Sequence, residues 1–207
     1  MGLFFIMIKK NHKFGFLEVG QSENIYFISD THFDHKNIIN LAKRPFSSIE
    51  EMNKTLMDNW NNTVKEENSL VFILGDFCWT ANAFRWENLL DRLKGDKVLI
   101  KGNHDNYKVV EKMEHKFITV RDRLEVRVGK IRLLLDHYPS TSWSGSFHGV
   151  KQIFGHIHEK DFEGASPNQY NVCVERNSYR PISFHELMSL LELQKKNEQT
   201  NLKLLDI

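Results

Sequence analysis

Residues 25–32 read IYFISDTH, a strand-like apolar run that ends in an aspartate and a histidine two positions apart. Four later stretches repeat this design, with an apolar run followed by a turn that carries Asp, Asn or His. They are LVFILGD (70–76), VLIKGNHD (98–105), IRLLLDH (131–137) and QIFGHIH (152–158). A chain that places such side chains after successive strands is expected to build one site from several loops.

Apolar runs rich in β-branched and aromatic residues predict the strands of the fold. The runs lie at 25–29, 70–74, 98–101, 131–136, 152–154 and 170–174. Residues 124–128 alternate apolar and polar side chains, and we expect them to pair with 131–136 across the two-residue turn Gly129-Lys130.

Helical spacing of apolar residues predicts three helices between and after these strands. Ser48 and Glu51 form a capping-box pattern before the first helix, and Gly95 is expected to cap the end of the second. Ser183 and Glu186 repeat the capping-box spacing before the third helix. This order predicts an α/β fold in which two β-sheets pack on each other with helices outside.

The length of 207 residues fits one domain over 1–207, long enough to bury a sizeable core. The segment 1–23 is the least informative: residues 14–19 are compatible with an extra edge strand and equally with a loosely attached arm. At the other end, residues 194–207 are expected to fray because the stretch from 194 to 200 is polar.

Charge and cysteine content exclude several classes of protein. The 28 Lys and Arg residues balance 27 Asp and Glu, so no basic surface for long nucleic acid is expected. Two cysteines argue against a disulfide framework and fit a reducing cytosol. The apolar residues 1–8 lack the flanks of a signal peptide and cannot span a bilayer. We therefore expect a cytoplasmic protein without a membrane partner, and its oligomeric state is undecided.

The side chains that follow the strands suit divalent metals. In extended backbone, positions i and i+2 face one side, so Asp30 and His32 can grip one ion. His156 and His158 can hold one ion or reach two, and the Asp76 carboxylate can bridge two ions about 3.5–4 Å apart. Each motif alone also has a plain structural explanation, as a turn, a helix cap or a surface histidine. Their shared position after strands favours a metal site.

Residues 102–105, GNHD, follow a predicted strand and are expected to open a helix. His104 would then project from a helix N-terminus, where an anionic group is favoured. Asn103 offers a neutral oxygen ligand. His137 directly follows a strand and is a further candidate imidazole ligand.

The ordered set D-x-H, G-D, G-N-H-D, H and G-H-x-H, from Asp30 to His158, resembles the calcineurin-like metallophosphoesterase superfamily. The pieces DTHFDH (30–35), RPF (44–46) and YRPIS (179–183) are similar to a small bacterial and phage branch of it. The resemblance implies a four-layer α/β/β/α sandwich of two mixed β-sheets flanked by helices. It also implies two divalent metal ions, with manganese favoured and iron, zinc or magnesium as alternatives.

By motif position, the resemblance divides seven metal ligands between two sites that share one carboxylate. It assigns Asp30, His32 and His158 to the first metal, Asn103, His137 and His156 to the second, and Asp76 to both. A hydroxide held by the two metals would attack phosphorus in line with the leaving oxygen. His104 is the catalytic candidate, which would protonate that oxygen or stabilise the transition state.

One position departs from the family pattern. Many members read G-D-x-x-D, with a second Asp that supports the catalytic histidine, and Trp79 stands in its place here. His104 then lacks its usual partner unless Asp105, Asp34 or a backbone carbonyl replaces it. The neighbouring Cys78 is predicted to be a buried free cysteine.

The expected function is a dinuclear metal-dependent phosphoesterase for a small phosphate ester or short nucleotide, with phosphodiesters favoured. His35, Arg44 and Tyr138 are the candidates to line the substrate entrance. Two enzymatic alternatives are a phosphomonoesterase acting on nucleotides or sugar phosphates, and a nuclease acting on a few single-stranded nucleotides. An alternative of another class is a non-catalytic metal-binding interaction module with this fold.

Overall fold

The computed structural model describes residues 8–11, 16–20 and 24–205. Its strands are β1 Ile8–Asn11, β2 Phe16–Val19, β3 Ile25–Ile28, β4 Leu70–Leu74, β5 Asp96–Ile100, β6 Thr119–Arg121, β7 Arg123–Val128, β8 Ile131–Asp136, β9 Lys151–Phe154, β10 Gln169–Asn171 and β11 Ile182–Ser183. Its helices are α1 Ile38–Leu41, α2 Ile49–Thr63, α3 Ala83–Arg92, α4 Tyr107–Met113 and α5 Phe184–Leu205.

One sheet has five strands in the order β11-β3-β4-β5-β6. Strands β3 to β6 run parallel, and β11 pairs antiparallel with β3. Strand β4 is fully buried because both of its faces are covered. Side chains alternate between the faces, so Leu70, Phe72 and Leu74 face the other sheet, while Val71 and Ile73 face the helices. A sheet covered on both faces explains why its strands read as unbroken apolar runs.

The second sheet has six strands in the order β1-β2-β7-β8-β9-β10. Pairs β1–β2 and β7–β8 are antiparallel, and the remaining neighbours are parallel. The predicted hairpin is confirmed: Val128 pairs with Ile131, and Gly129 takes a φ of +57° in the turn. Such a φ is characteristic of two-residue hairpin turns.

The N-terminal region enters this second sheet. Strand β2 lies between β1 and β7, so residues 16–19 form neither an edge strand nor a loose arm. Leu17 and Val19 are buried between the two sheets, which explains the placement of β2. Residues 14 and 15 of the predicted segment lie outside the described residues.

The helix starts follow the predicted caps with altered partners. The Ser48 hydroxyl accepts a hydrogen bond from the Glu51 nitrogen (3.1 Å), as a cap requires. The Glu51 carboxylate, however, accepts from the backbone nitrogen and hydroxyl of Ser47, so the reciprocal half of the capping box shifts by one residue.

The end of helix α3 is capped by Leu93, and Gly95 (φ +86°) follows two residues later instead of capping it.

The last helix differs from its predicted form in the partner of its capping glutamate. The Ser183 hydroxyl accepts from the Glu186 nitrogen (3.2 Å), but the Glu186 carboxylate pairs with Arg180. Helix α5 continues to Leu205, and fraying of the tail from residue 194 stays a prediction.

Strand β10 ends at Asn171, and the predicted strand 170–174 instead turns into a 3-10 segment, Val174–Arg176.

Two hydrophobic clusters hold the layers together. One lies between the five-stranded sheet and helices α2, α3 and α4, and the other lies between the two sheets. Helix α5 contributes Phe184, Leu187 and Leu191 to the cluster between the sheets. The predicted α/β fold of two mixed sheets with flanking helices is confirmed. Within the described ranges, we find no helix with the length and apolarity that a bilayer crossing requires.

Candidate metal centre

The predicted ligands follow β3, β4, β5, β8 and β9, and the fold brings these strand ends together. In the five-stranded sheet, the Asp30 nitrogen donates to the Gly75 oxygen (3.1 Å). In the six-stranded sheet, the Gly155 nitrogen donates to the His137 oxygen (3.0 Å). The His156 nitrogen donates to Oδ2 of Asp30 (2.9 Å) and thereby joins the loops of the two sheets.

Asp30, His32 and His158 form the first group. Oδ1 of Asp30 lies 3.8 Å from Nε2 of His32 and 3.7 Å from Nε2 of His158. Oδ2 is already occupied, since it accepts from the Ser29 hydroxyl and the Cys173 thiol. Oδ1 of Asp30 and Nε2 of His32 are buried without a hydrogen-bond partner among the described residues. Unpaired buried polar atoms are rare, and a cation would satisfy both.

The Asp76 carboxylate lies between two histidines. Its Oδ2 is 3.5 Å from Nε2 of His32 and 3.6 Å from Nε2 of His137, while its Oδ1 accepts from the His104 nitrogen (2.8 Å). Burial raises the pKa of Asp76, whereas burial and the charge of Arg44 lower the pKa of His32. The free Oδ2 is thus shared by both halves of the centre.

His137 completes the second half with Asn103. Nδ1 of His137 is 2.8 Å from the Leu74 carbonyl, so Nδ1 carries the proton and Nε2 keeps its lone pair. Nε2 in turn faces Oδ1 of Asn103 at 3.0 Å. Two acceptors that face each other are satisfied by a cation. The His156 ring packs beside His137, with centroids 5.0 Å apart.

These donors fit the implied pair of divalent ions. Asp30, His32 and His158 make one group whose ligand atoms lie within 4.8 Å of one another, and Asp30, Asp76 and His137 make a second. The set is oxygen and imidazole without thiolate, as manganese, iron, zinc and magnesium accept. All seven predicted ligands lie together around this centre.

The backbone at the ligands is left-handed and not extended, which corrects the geometry expected from the i, i+2 spacing. Five of the seven candidates have φ between 49° and 73°: Asp30, His32, Asp76, His156 and His158. This conformation costs about 1–2 kcal/mol per non-glycine residue. Such strain clusters at functional sites, where the surrounding structure maintains it.

Gly155 permits the close approach of two loops, which leads to a prediction. A Cβ at this position would lie 1.9 Å from Oγ of Ser29 and 2.5 Å from Oδ2 of Asp30. We expect Gly155→Ala to lower the free energy of unfolding by about 1–3 kcal/mol and to weaken metal binding by displacing Asp30. Denaturant unfolding and calorimetric titration with Mn²⁺ measure the two effects.

Gly149→Ala is the matched control, because Gly149 has a φ of +78° with no atom near its missing Cβ. It is expected to lose stability through backbone strain while binding Mn²⁺ as the wild type does. Equal Mn²⁺ affinity in both variants would contradict the expectation that a Cβ at position 155 displaces Asp30.

Glu175 was missed by sequence reasoning and orients a predicted ligand. Its Oε1 lies 2.8 Å from Nδ1 of His158 and accepts from Nη2 (2.7 Å) and Nε (2.9 Å) of Arg44. Burial is the largest single influence and opposes both charges, but the hydrogen bond between the two groups and the neighbouring charges together outweigh it: the pKa of Glu175 is lowered and that of His158 is raised. With its proton on Nδ1, His158 presents Nε2 to the centre.

The sequence predicts that Arg44 lines the substrate entrance, but the structure places it elsewhere. Its guanidinium is buried, where it pairs with Glu175 and donates to the carbonyl oxygens of Asp30 (2.6 Å) and Thr31 (2.9 Å). It braces the loop that carries the first ligands. The only local signal for Glu175 was its position shortly after a predicted strand, which is common for surface residues.

Comparison with known proteins decides the family. A model described as calcineurin-like phosphoesterase matches residues 23–171. The chain belongs to this family. It is 38% identical over 181 residues to an uncharacterized protein of Methanocaldococcus jannaschii, covering 83% of this chain and 93% of the relative. A crystal structure of a protein of unknown function from Aquifex aeolicus is 31% identical, with a TM-score of 0.64, covering 80% of this chain and 98% of that one.

In this calcineurin-like phosphoesterase, His104 lies in a turn and not at a helix N-terminus. Helix α4 begins at Tyr107, and the Asn106 side chain caps it. The exposed His104 side chain projects from the loop before that helix, anchored by the backbone hydrogen bond to Asp76. The correction follows from Asn106, which satisfies the helix start better than the residues before it.

Neither suggested carboxylate replaces the missing family Asp beside His104. Asp105 is half-buried and accepts from the backbone nitrogens of Asp76 (3.0 Å) and Gly102 (2.8 Å), so it ties two ligand loops together. Burial raises its pKa to about 7. Asp34 instead pairs with Arg85 at 2.7 Å.

Trp79 and His35 lie beside His104 in place of that carboxylate. The Trp79 ring stacks on His35 with centroids 3.9 Å apart, and its centroid is 5.0 Å from that of His104. His35 is buried beneath Trp79, with its Nδ1 3.3 Å from Nδ1 of His32. The prediction that His35 lines the substrate entrance is therefore wrong. Burial and the neighbouring His104 lower the pKa of His35 to about 4.

Tyr138 lies at the opening of the second half of the centre. Its half-exposed ring packs against His156 (4.7 Å) and His137 (4.9 Å), and its hydroxyl is 3.5 Å from Oδ1 of Asn103. Of the three predicted entrance residues, Tyr138 is placed where a substrate group can reach it.

The prediction that Cys78 is a buried free cysteine is confirmed, and Cys173 is free and buried as well. Burial raises the pKa of the Cys78 thiol to about 12 and raises that of Cys173 well above its usual range. Thiols that keep their protons are poor nucleophiles and poor metal ligands. Cys173 acts as a hydrogen-bond donor to Asp30.

Proposed function

We propose that this chain is a dinuclear metal-dependent phosphoesterase that prefers small phosphodiesters. The observation that carries the proposal is the position of Asp76, whose Oδ2 is within 3.6 Å of both His32 and His137. A single carboxylate oxygen between two imidazole groups is the arrangement that two neighbouring cations would share.

The residues divide the work between holding ions and moving a proton. Asp30, His32 and His158 would hold one ion, Asn103, His137 and His156 would hold the other, and Asp76 would serve both. Divalent ions at such sites lower the pKa of a bound water and neutralise phosphate oxygens. The oxygen and imidazole donors would accept manganese, iron, zinc or magnesium. Manganese is the first ion to test because the family resemblance favours it.

His104 has the position of a general acid. Its ring is exposed, its centroid lies 5.5 Å from that of His32, and its backbone is fixed on Asp76. An imidazole nitrogen of His104 donates the proton that the leaving oxygen needs. Glu175 holds the His158 proton on Nδ1, and the Leu74 carbonyl does the same for His137.

The test removes all metal with a chelator and reloads the protein with Mn²⁺, Fe²⁺, Zn²⁺ or Mg²⁺. We expect two ions per chain by elemental analysis, a higher melting temperature after loading, and faster hydrolysis of bis-p-nitrophenyl phosphate than of p-nitrophenyl phosphate. Turnover of the monoester alone would replace the diester preference with a phosphatase. One ion per chain would contradict a dinuclear centre.

Replacing His104 separates metal binding from proton transfer. We expect His104→Ala to retain both ions and to reduce kcat by about 10²–10⁴-fold for a diester with an alcohol leaving group. The loss should be much smaller for bis-p-nitrophenyl phosphate, because p-nitrophenolate departs without protonation. Equal losses for the two substrates would show that His104 does not act as the acid.

A further inference from the structure

Trp79 is exposed in a way that the proposed chemistry does not explain. About half of its side-chain surface (46%) is open to solvent, whereas Trp60 and Trp86 are fully buried and Trp143 is 8% exposed. An exposed tryptophan leaves a large apolar surface in water, and aromatic side chains exposed beside a site often bind ligands.

The structure holds the Trp79 ring in one orientation. One face lies flat on the His35 ring, with an interplanar angle of 6° and centroids 3.9 Å apart. The backbone nitrogen of Trp79 donates to the backbone oxygen of Phe33 (2.9 Å), next to the isolated β-bridge between Phe33 and Cys78. His35 is buried, so the exposed surface of Trp79 belongs to a rigid stack of two rings.

This surface is on the side where the leaving group would depart. The Trp79 centroid is 5.0 Å from that of His104, the proposed proton donor. A planar group attached to the leaving oxygen can therefore reach the Trp79 ring while the oxygen faces His104. Stacking on an aromatic ring accepts any nucleobase, because every base has a π-face.

A second feature shows that the substrate has room on the other side of the centre. A cavity of about 570 Å³ adjoins the Asn103 loop. Its lining combines two tyrosines and two cations with three carboxylates: Tyr107, Tyr138, Lys101, Arg123, Asp105, Asp122 and Asp136. That volume is within the range of ordinary small-molecule sites. The centre therefore lies between the Trp79 stack and a cavity, which suits a phosphate with a substituent on each side.

We propose that Trp79, backed by His35, is a stacking platform for a nucleobase, and that the substrate is a short nucleotide diester. The leaving nucleoside places its base on Trp79, and the second substituent enters the cavity beside Tyr138. This assignment rests on the proposed phosphodiesterase function. It makes Trp79 a specificity-determining residue in place of the carboxylate that the family pattern puts there.

Calorimetry on the Mn²⁺-loaded protein tests the platform without relying on turnover. Adenosine 5′-monophosphate and ribose 5-phosphate share a phosphate and a sugar, and only the first carries a base. We expect the first to bind about 10- to 100-fold more tightly, as stacking on one aromatic ring provides. Trp79→Leu should abolish this difference, and Trp79→Phe should retain most of it.

Phe147→Leu is the matched control, since Phe147 is 95% exposed and lies outside the proposed platform. Metal content and melting temperature of each variant are measured first. Equal binding of the two ligands to the wild type would overturn the platform, as would a preference that survives in Trp79→Leu. A preference that disappears only in Tyr107→Leu would overturn it too, by placing the base in the cavity.

Turnover of bis-p-nitrophenyl phosphate by the loaded wild type is measured in parallel. If turnover occurs but adenosine monophosphate shows no advantage, the phosphodiesterase stands and the platform fails. If no turnover occurs and Trp79→Leu still loses the preference, the base site stands and the proposed activity fails.

Discussion

Asp76→Asn is expected to reduce phosphodiester hydrolysis to the rate of the metal-free protein and, at the same time, to stabilise the metal-free fold. The activity falls because Oδ2 of Asp76 lies close to both His32 (3.5 Å) and His137 (3.6 Å). An amide is neutral and cannot share a negative oxygen between two cations. Oδ1 can still accept from the His104 nitrogen, so the loop geometry is preserved.

The stability gain has a definite sign. Burial raises the pKa of Asp76 above the ordinary value of an aspartate, so ionising this group disfavours the metal-free folded state. The folded state then binds more protons than the unfolded state, and stability falls as pH rises from about 4 towards the folded pKa. Asn carries no charge, so at pH 7 the variant should have a higher melting temperature than the metal-free wild type. At lower pH, where Asp76 is protonated, the two melting temperatures should be equal.

Melting temperature with and without Mn²⁺ measures both halves of this prediction. Each kcal/mol changes the melting temperature of a chain of this size by about 2–4 °C. Mn²⁺ should raise it strongly for the wild type and much less for Asp76→Asn. Asp58→Asn, at an exposed helix position, is the control and should match the wild type throughout. A metal-loaded Asp76→Asn with wild-type turnover would refute the shared site.

Glu175→Gln is expected to be the most destabilising single-charge change in the described part of the chain. The side chains of Arg44 and Glu175 are 0% and 4% exposed, and Oε1 of Glu175 accepts both guanidinium contacts. Removing the carboxylate charge leaves the Arg44 guanidinium buried without a counter-ion, which costs about 3–5 kcal/mol. An amide oxygen is a weaker acceptor for Nδ1 of His158 than a carboxylate, so metal binding should also weaken by about 10–100-fold.

Chemical denaturation and Mn²⁺ titration measure these effects against a matched ion pair. Glu186 pairs with Arg180 at 2.6 Å, but both side chains are more than a third exposed. Glu186→Gln is therefore expected to change stability by at most about 1 kcal/mol and to leave metal affinity unchanged. The double variant Arg44→Met, Glu175→Gln should be more stable than Glu175→Gln alone, because it buries no unpaired charge. Similar losses for Glu175→Gln and Glu186→Gln would show that the buried pair is unimportant.

Local patterns predicted much of the fold because strands and turns depend on neighbouring residues. The hairpin around Gly129 and the strands β3, β4 and β8 follow from alternation, apolar runs and turn residues. The position of β2 did not follow, since it depends on pairing with β7, more than a hundred residues later. Helix α4 began later than expected because the best local cap, Asn106, lies beyond the GNHD motif.

The sequence by itself determined the ligand types, their order and their positions after successive strands, because these follow from motifs a few residues long. Only the tertiary structure decided how the ligands are aimed. The left-handed backbone at Asp30 and His32, the Arg44–Glu175 pair across 131 positions and the stack of Trp79 on His35 depend on packing between distant segments. Such contacts are long-range in sequence and short-range in space, so no local pattern specifies them.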